Sequence, residues 1–422
     1  MTERLMIDIN FMDGKYFCQL SSNQDGEGGA AFDFAQASVA GVDIQTTGKT
    51  IFDELCKSRE IKKAIERALS GTQPIYFNPR IVPAQGIRWE AVWAGPPAGF
   101  VSLDRRWPIA RIAGTDTDRD PVRFAPPLRI LAVISAAGFP GDDEWNALFD
   151  AARDAVTAGL PVEIRVVTGQ AALYQSLNPS PSAWVTVAPV PPTADELSIQ
   201  IGTFKPHILH FFCHGQTDAG NAHLVIEGNA GELQLSIRDL TQISGLEDVW
   251  LVVLNSCLGG ASQQGYLSMA QRIVSEGNVP FAIGATETVD VRDANTFSRA
   301  FYKRLLFTFG DNIKKTAVNG ILTLSWGEAL YAARDAINKT NGNKPEAQHQ
   351  WILPILYEHR TRLQLIKQEA TAAGAAPPPA PDPSVALRAK MASELLAALP
   401  PGTSDATKKS LVAAILNQPN GS

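Results

Sequence analysis

A chain of 422 residues is larger than one ordinary core and points to two or three units. Apolar residues make up 45% and charged residues 19%, the balance of a well-packed protein and not of a disordered one. The net charge of -6 gives no basic footprint for nucleic acid, and no apolar run is long enough to span a bilayer. The opening residues, Met1-Thr-Glu-Arg-Leu-Met-Ile-Asp8, lack the basic-then-apolar order of a secretion signal. The four cysteines, Cys18, Cys56, Cys213 and Cys257, show no paired spacing, so a reduced, cytoplasmic chain without a disulfide framework is expected.

In chain order, residues 5–10 and 15–20 read as a strand hairpin. Residues 50–69 place Ile51, Leu55, Ile61, Ala64, Ile65 and Leu69 near helical period and read as one helix closed by Gly71. Short elements follow at 75–77, 87–93 and 99–103, and a polar, proline-broken joint at 123–127. These residues, 1–125, form a first α/β half.

A second half, 128–360, begins with the strand 128–134. An amphipathic helix (144–158), a strand (162–167) and a helix (194–203) lead to the run Ile208-Leu-His-Phe-Phe-Cys-His-Gly215. A hairpin over 224–237 precedes Val249-Trp-Leu-Val-Val-Leu-Asn-Ser-Cys-Leu-Gly-Gly260. A helix (265–276), a strand (279–284), helices at 296–307 and 325–340, and a closing strand at 351–356 complete it. Strands alternating with helices imply parallel crossover units, so the fold class is α/β with a mostly parallel sheet flanked by helices. Residues 370–383 form an Ala/Pro linker, and 384–399 and 403–416 read as two short helices of an interaction tail.

His214 and Cys257 each fall where an apolar strand gives way to Gly-rich chain. Parallel sheets bind ligands outside the carboxyl ends of their strands, so neighbouring strands would bring an imidazole and a thiol to one crevice. That pair suffices for thiolate attack on an acyl group: the imidazole takes the thiol proton and later donates it to the leaving amine. Cys213 precedes His214 directly, points to the other face, and reads as core; His210 reads as core or as a support for the site. His207, His210, Cys213 and His214 are crowded, but alternation splits them between two faces and argues against zinc; no metal or cofactor is expected. Gly215 is read as allowing a sharp turn after His214, with the amides of Gly215 and Cys257 as oxyanion donors.

These residues resemble the CHAT proteases of the caspase–separase–gingipain clan. The matching blocks, in order, are Ile87-Arg-Trp-Glu90, Gly99-Phe-Val-Ser-Leu103 with Pro108-Ile-Ala-Arg111, His210-Phe-Phe-Cys-His-Gly215, Leu254-Asn-Ser-Cys257, Val289-Asp-Val-Arg-Asp293 with Phe297-Ser-Arg-Ala-Phe-Tyr302, Glu328-Ala-Leu-Tyr-Ala-Ala-Arg334, and Trp351-Ile-Leu-Pro354. Arg88 stands where the family usually has proline. The resemblance covers about residues 1–360. It implies a pseudo-caspase half (1–125) lacking the dyad beside a catalytic half (128–360), and a regulated bacterial cysteine endopeptidase of a defence or cell-death pathway. It also implies that Asp290 and Asp293 line a pocket for a basic side chain before the cut bond, by charge-assisted hydrogen bonds; as plain loop carboxylates they would instead cap the following helix.

The expected partners are a protein substrate and, through the tail, an activating protein or a second copy; neither nucleic acid nor membrane is expected. Two other functions stay open. One is a catalytically silent caspase-like module recruiting partners through its tail. The other, a nucleotide-binding enzyme, is disfavoured because no strand leads into a Gly-x-Gly-x-x-Gly loop. Thr46-Thr-Gly-Lys-Thr50 looks like part of a phosphate loop, but Asp43 stands where the pattern needs glycine.

Overall fold

The computed structural model describes residues 4–369 except 14, 22–28, 34–42, 114–118, 179, 181, 219–220, 230, 244, 257–263, 286 and 347. The first half contributes β1 (Leu5–Met12), β2 (Lys15–Leu20), β3 (Gly29–Ala31), α1 (Ile44–Leu55), α2 (Arg59–Ser70), β4 (Ile75–Pro79), α3 (Val82–Gln85) and β5 (Ile109–Ile112). After β6 (Val122–Phe124), the second half contributes β7 (Leu128–Ile134), α4 (Asp142–Thr157), β8 (Val162–Thr168), α5 (Ala171–Leu177), β9 (Val185–Pro189), α6 (Ala194–Phe204) and β10 (Ile208–Asp218). Then come β11 (Asn221–Gly228), β12 (Gly231–Ser236), α7 (Ile237–Thr241), β13 (Leu251–Ser256), α8 (Gln264–Ser275), β14 (Phe281–Ala285), α9 (Val291–Lys315), β15 (Ile321–Thr323), α10 (Gly327–Thr340), β16 (Pro354–Glu358) and β17 (Gln364–Lys367).

One sheet runs through both halves in the order β3-β2-β1-β4-β5-β16-β14-β13-β10-β7-β8-β9, with the β11–β12 hairpin attached to β10. Within the second half β14, β13, β10, β7, β8 and β9 are all parallel. The halves meet where β16 pairs parallel with β5 and antiparallel with β14. Arg123 and Phe124, read as the start of a polar joint, belong to β6 instead, which pairs with β17 beside β15 in a separate small sheet.

The helix expected over 50–69 is two helices. Asp43 caps α1 by accepting from the Thr46 amide at 2.9 Å, and Ser58 caps α2 by accepting from the Ile61 amide at 3.2 Å. A hydroxyl that satisfies an orphan donor favours a fresh start over continuation, which overrides the unbroken apolar period.

Both faces of the parallel sheet are covered. Side chains of β10 alternate between them: Ile208 and Phe212 enter the core under α4, α9 and α10, whereas Leu209, Phe211 and Cys213 enter the core under α6 and α8. A strand buried on both faces reads as a continuous apolar run, which is why β7, β10 and β13 are legible in the sequence.

Candidate active site

His214 follows directly on the stretch of β10 that pairs parallel with β13, and is half-buried. Its Nε2 is 2.6 Å from the carbonyl oxygen of Ala137, and the Phe139 ring stands 5.7 Å from its own. A carbonyl can only accept, so Nε2 carries the proton and Nδ1 is the basic nitrogen of the neutral ring. Ala137 belongs to the loop between β7 and α4, and that loop is pinned. Gln170 Nε2 donates to the carbonyls of Ala136 (3.0 Å) and Phe139 (2.7 Å), while its Oε1 accepts from the Gly141 amide at 2.8 Å. Ser135 Oγ donates to the Glu227 carbonyl at 2.6 Å and accepts from the Gly169 amide at 3.0 Å. Gly169 permits this close approach, because a Cβ there would sit 2.0 Å from the Glu227 oxygen.

β13 is the neighbour of β10, parallel to it, and Ser256 pairs with Cys213. Ser256 is covalently followed by Cys257, which itself lies outside the described residues. Cys213 is fully buried in the core under α6 and α8, the face opposite His210. The sharp turn expected after His214 is absent: β10 runs on to Asp218, and Gly215 pairs with Leu224 of β11. The turn reading failed because the hairpin extends the strand past the sheet edge.

Beneath this edge lies a buried polar cluster. Asn255, two positions before Cys257, points its Nδ2 at Glu144 Oε1 (3.1 Å), the Ala294 carbonyl (3.1 Å) and Ser298 Oγ (3.0 Å). Ser298 Oγ also donates to Glu144 Oε1. The hydroxyl of Tyr302 and Nδ1 of His210 are 2.9 Å apart. Burial pushes the Tyr302 phenol well above its ordinary value, so it stays protonated and donates, leaving the His210 proton on Nε2. That Nε2 stands 2.9 Å from Glu144 Oε1, although not aimed along a hydrogen bond, and Glu144 Oε2 has no hydrogen-bond partner among the described residues. The cluster ties α4, β10, β13 and α9 together.

Asp290 is the N-cap of α9, accepting from the Arg292 amide at 2.9 Å. Asp293 is buried and accepts from Asn341 Nδ2 at 3.1 and 3.2 Å. Burial raises its carboxyl above the usual carboxylate range, against the partial opposing effect of Asn341. Both follow β14, whose parallel alignment with β13 puts them at the sheet edge where β10 ends.

Four of the blocks that carry the resemblance meet at the junction of the halves. Arg111 and Glu90 form a fully buried bidentate pair, Nε to Oε1 at 3.0 Å and Nη2 to Oε2 at 2.6 Å. Arg111 also donates to the carbonyls of Gln85 and Ile87. Arg334 donates to the carbonyls of Pro354 (2.8 Å) and, from the other half, Ile109 (3.3 Å). These blocks hold backbone in place and lie apart from the dyad strands.

The phosphate-loop lookalike lies inside α1. A Cβ on Gly48 would stand 1.9 Å from the Ala91 carbonyl oxygen, and the Gly48 carbonyl accepts from the Trp93 amide. Close packing of a helix on that loop accounts for the glycine.

The sequence reading missed Gln170, Glu144, Asn255, Ser298 and Tyr302 as site supports. A signal existed for three of them. Glu144 occupies the apolar stripe of its helix with Leu148, Ala151 and Ala155; Ser298 sits between Phe297 and Phe301; Asn255 interrupts an apolar run. A polar residue on a buried face needs partners, and here they satisfy one another.

Among the described residues no helix is long and apolar enough to cross a membrane. No curated protein matches this chain. Among solved structures it is similar to the Arg-specific cysteine proteinase gingipain R, at 9% identity and a TM-score of 0.40, with 69% of this chain and 63% of that one covered; the chain thus spans less than two thirds of that structure. The CHAT domain profile matches residues 46–323, most of both halves. The chain belongs to the CHAT domain family.

Proposed function

We propose that the protein is a cysteine endopeptidase with Cys257 as nucleophile and His214 as its base, cleaving a protein substrate after a basic residue. The observation that carries this reading is the parallel register of β10 and β13, which ends on the pair Cys213 and Ser256, each one residue before a member of the dyad. A thiol near its ordinary pKa is only a few per cent thiolate at neutral pH, so the base matters. Nδ1 of His214 takes the thiol proton, and sulfur bonds to the scissile carbonyl carbon. The oxyanion is held by the amides of Gly215 and Cys257. Collapse breaks the C–N bond, the imidazolium returns its proton to the departing amine, and water hydrolyses the thioester by the same base. Asp290 and Asp293 are assigned to the basic side chain; the cap bond of Asp290 and the two Asn341 bonds of Asp293 leave acceptor capacity on each carboxyl. The halves 1–125 and 128–360 act as scaffold and catalytic unit. Family membership supports a regulated, cytoplasmic role in bacterial defence.

The test is labelling of the full chain with a peptidyl chloromethyl ketone bearing Arg, Asp or Leu next to the warhead, followed by mapping of the alkylated residue. Modification of Cys257, fastest with Arg and abolished by His214→Ala, is the expected result. Absence of labelling at Cys257, with or without a protein activator, would favour a silent interaction module; preference for Asp would overturn the basic pocket alone.

A further inference from the structure

The outer face of the helical layer carries an open groove of about 520 Å³ centred on α9, bordered by α4 on one side and reached by Ala332 of α10 on the other. Its floor is made of small residues, Ala151, Ala155, Ala300 and Gly310 among them, so an incoming helix could approach the backbone closely. Phe307 stands in it with 65% of its surface exposed, the largest such fraction among the large apolar side chains described as exposed. A monomer gains nothing by presenting an aromatic ring and an apolar trough to water.

The described chain leaves the fold at one end of this groove. β17 is its last strand, and Lys367 Nζ donates to the carbonyls of Ile313 (2.8 Å) and Thr316 (2.7 Å) at the carboxyl end of α9. Residues 370–422 lie outside the described residues. Their sequence places Leu387, Met391, Leu395 and Leu399 at four-residue spacing, with Ala392, Val385 and Leu396 widening the same arc, which Ser384 and Arg388 enter at its first turn.

We propose that residues 384–399 of this chain dock as an amphipathic helix in the α9 groove. Lengths agree: the groove runs along α9 from Ala300 to Lys314, about 21 Å, and sixteen helical residues extend about 24 Å. Reach agrees: Phe307 lies roughly 14 Å along α9 from Thr316, and a fourteen-residue Ala/Pro linker extends to about 43 Å as polyproline helix. Tethering favours the chain's own segment over a free partner, because a short linker holds it at an effective concentration near the millimolar range. The groove carries Asp154, Lys303, Arg304, Asp311 and Lys314 and the segment Arg388, Lys390 and Glu394, so both signs are present on each side. The inner face of the same α9 presents Ser298 and Tyr302 to the buried cluster, so the docked segment braces the helix from behind.

The experiment uses the full chain carrying Cys257→Ala, which removes self-cleavage if the proposed nucleophile is correct and changes nothing otherwise. Benzoylphenylalanine in place of Phe307 is irradiated in a mixture of isotopically light and heavy chains. A crosslink from position 307 to residues 384–399 of the same chain is expected; a crosslink to another segment, to a second copy, or to neither overturns the proposal. In parallel, trypsin cleavage after Arg388 and Lys390 should run at least about tenfold faster in Phe307→Asp and in Leu395→Asp than in the parent, since proteolysis follows the undocked population. Equal rates in all three chains overturn it too, and neither substitution touches the folded core.

Discussion

Ser256 pairs with Cys213 across β13 and β10, and the next residue along each chain is Cys257 or His214. The dyad proposed above takes Cys257 as nucleophile, although Cys213 precedes His214 directly in the chain. Cys213 is enclosed by apolar side chains under α6 and α8, on the face away from His210. The expected outcome is that Cys257→Ala lowers kcat/KM on a reporter peptide by at least about a thousandfold, as loss of a nucleophile does. Cys213→Ala should leave it within about threefold while costing roughly 1 kcal/mol of stability for the lost buried sulfur. Cleavage kinetics of the two variants, with matched urea unfolding, check this; the reverse ranking would make Cys213 the reactive thiol.

Gln170 reaches the His214 ring only through the loop that Ala137 belongs to. Its amide group makes three hydrogen bonds to backbone at both ends of that loop. Replacing Gln170 by Ala should loosen the carbonyl that fixes the His214 tautomer. Losing bonds worth about 1 kcal/mol each should lower kcat by roughly ten- to a hundredfold, with KM little changed. The distinguishing readout is the acidic limb of the pH–rate profile, which should move because the ring loses its oriented acceptor. A drop in activity explained wholly by unfolding, with an unmoved limb, would reduce Gln170 to a structural residue.

Asn255 is the donor at the centre of the buried cluster, facing Glu144 Oε1, Ser298 Oγ and the Ala294 carbonyl at once. Asn255→Asp keeps the shape, removes the donor and sets a second acidic group beside Glu144. A buried charge without compensation costs about 3–5 kcal/mol, so this variant should unfold at much lower urea. Glu144→Gln returns the cluster to a single carboxyl in that background and should recover part of the loss, a coupling that a double-mutant cycle in urea measures directly. Additive losses would mean the two side chains do not interact.

What could be read from the sequence followed from local rules. Continuous apolar runs gave β7, β10 and β13, and the shared parallel register of β10 and β13 ends one residue before His214 and Cys257. The alternation that sends Cys213 away from His214 follows from pleat geometry alone. Long-range facts were not readable. No local signal tells that β16 pairs with β5 and fuses the halves, or that β10 continues past Gly215 because a hairpin pairs with it. Gln170 lies 29 to 34 residues from the positions it pins, so its role needs coordinates. The stop at Cys56–Ser58 was missed for a different reason: the apolar period runs on through it, and the capping hydroxyl of Ser58 outweighed the pattern.

Arg111 and Glu90 are both fully buried in the core of the first half and make a bidentate pair next to the β5–β16 seam. Removing one partner strands the other in a medium where an unpaired charge is costly. Arg111→Met should therefore destabilise the protein by about 3–5 kcal/mol, whereas Arg111→Met combined with Glu90→Leu should be far less harmful. Chemical unfolding of the three chains tests this. A double variant as unstable as the single one would show that the Arg111 bonds to the Gln85 and Ile87 carbonyls matter more than the ion pair.

His207 stacks on Trp250 at 4.2 Å between ring centroids and accepts from the Arg129 amide through Nδ1 at 3.0 Å. Burial, aided by the Arg129 charge, pulls its pKa down from 6.5 to about 3. Between those values the unfolded chain binds a proton that the folded chain does not. The folded pKa is depressed, so the favourable contribution is fully present above pH 6.5 and falls as pH drops toward 3. The slope is about 1.4 kcal/mol per pH unit over that window, since each unit is one factor of ten in proton binding. Wild-type stability from urea titrations should decline between pH 6.5 and pH 4 more steeply than that of His207→Gln, which keeps an acceptor for the Arg129 amide and cannot charge. At pH 8 the glutamine variant should be the less stable of the two through lost stacking on Trp250, so the two stability curves should converge as pH falls. Parallel curves across the whole range would mean that His207 titrates alike in both states and that its burial does not govern its charge.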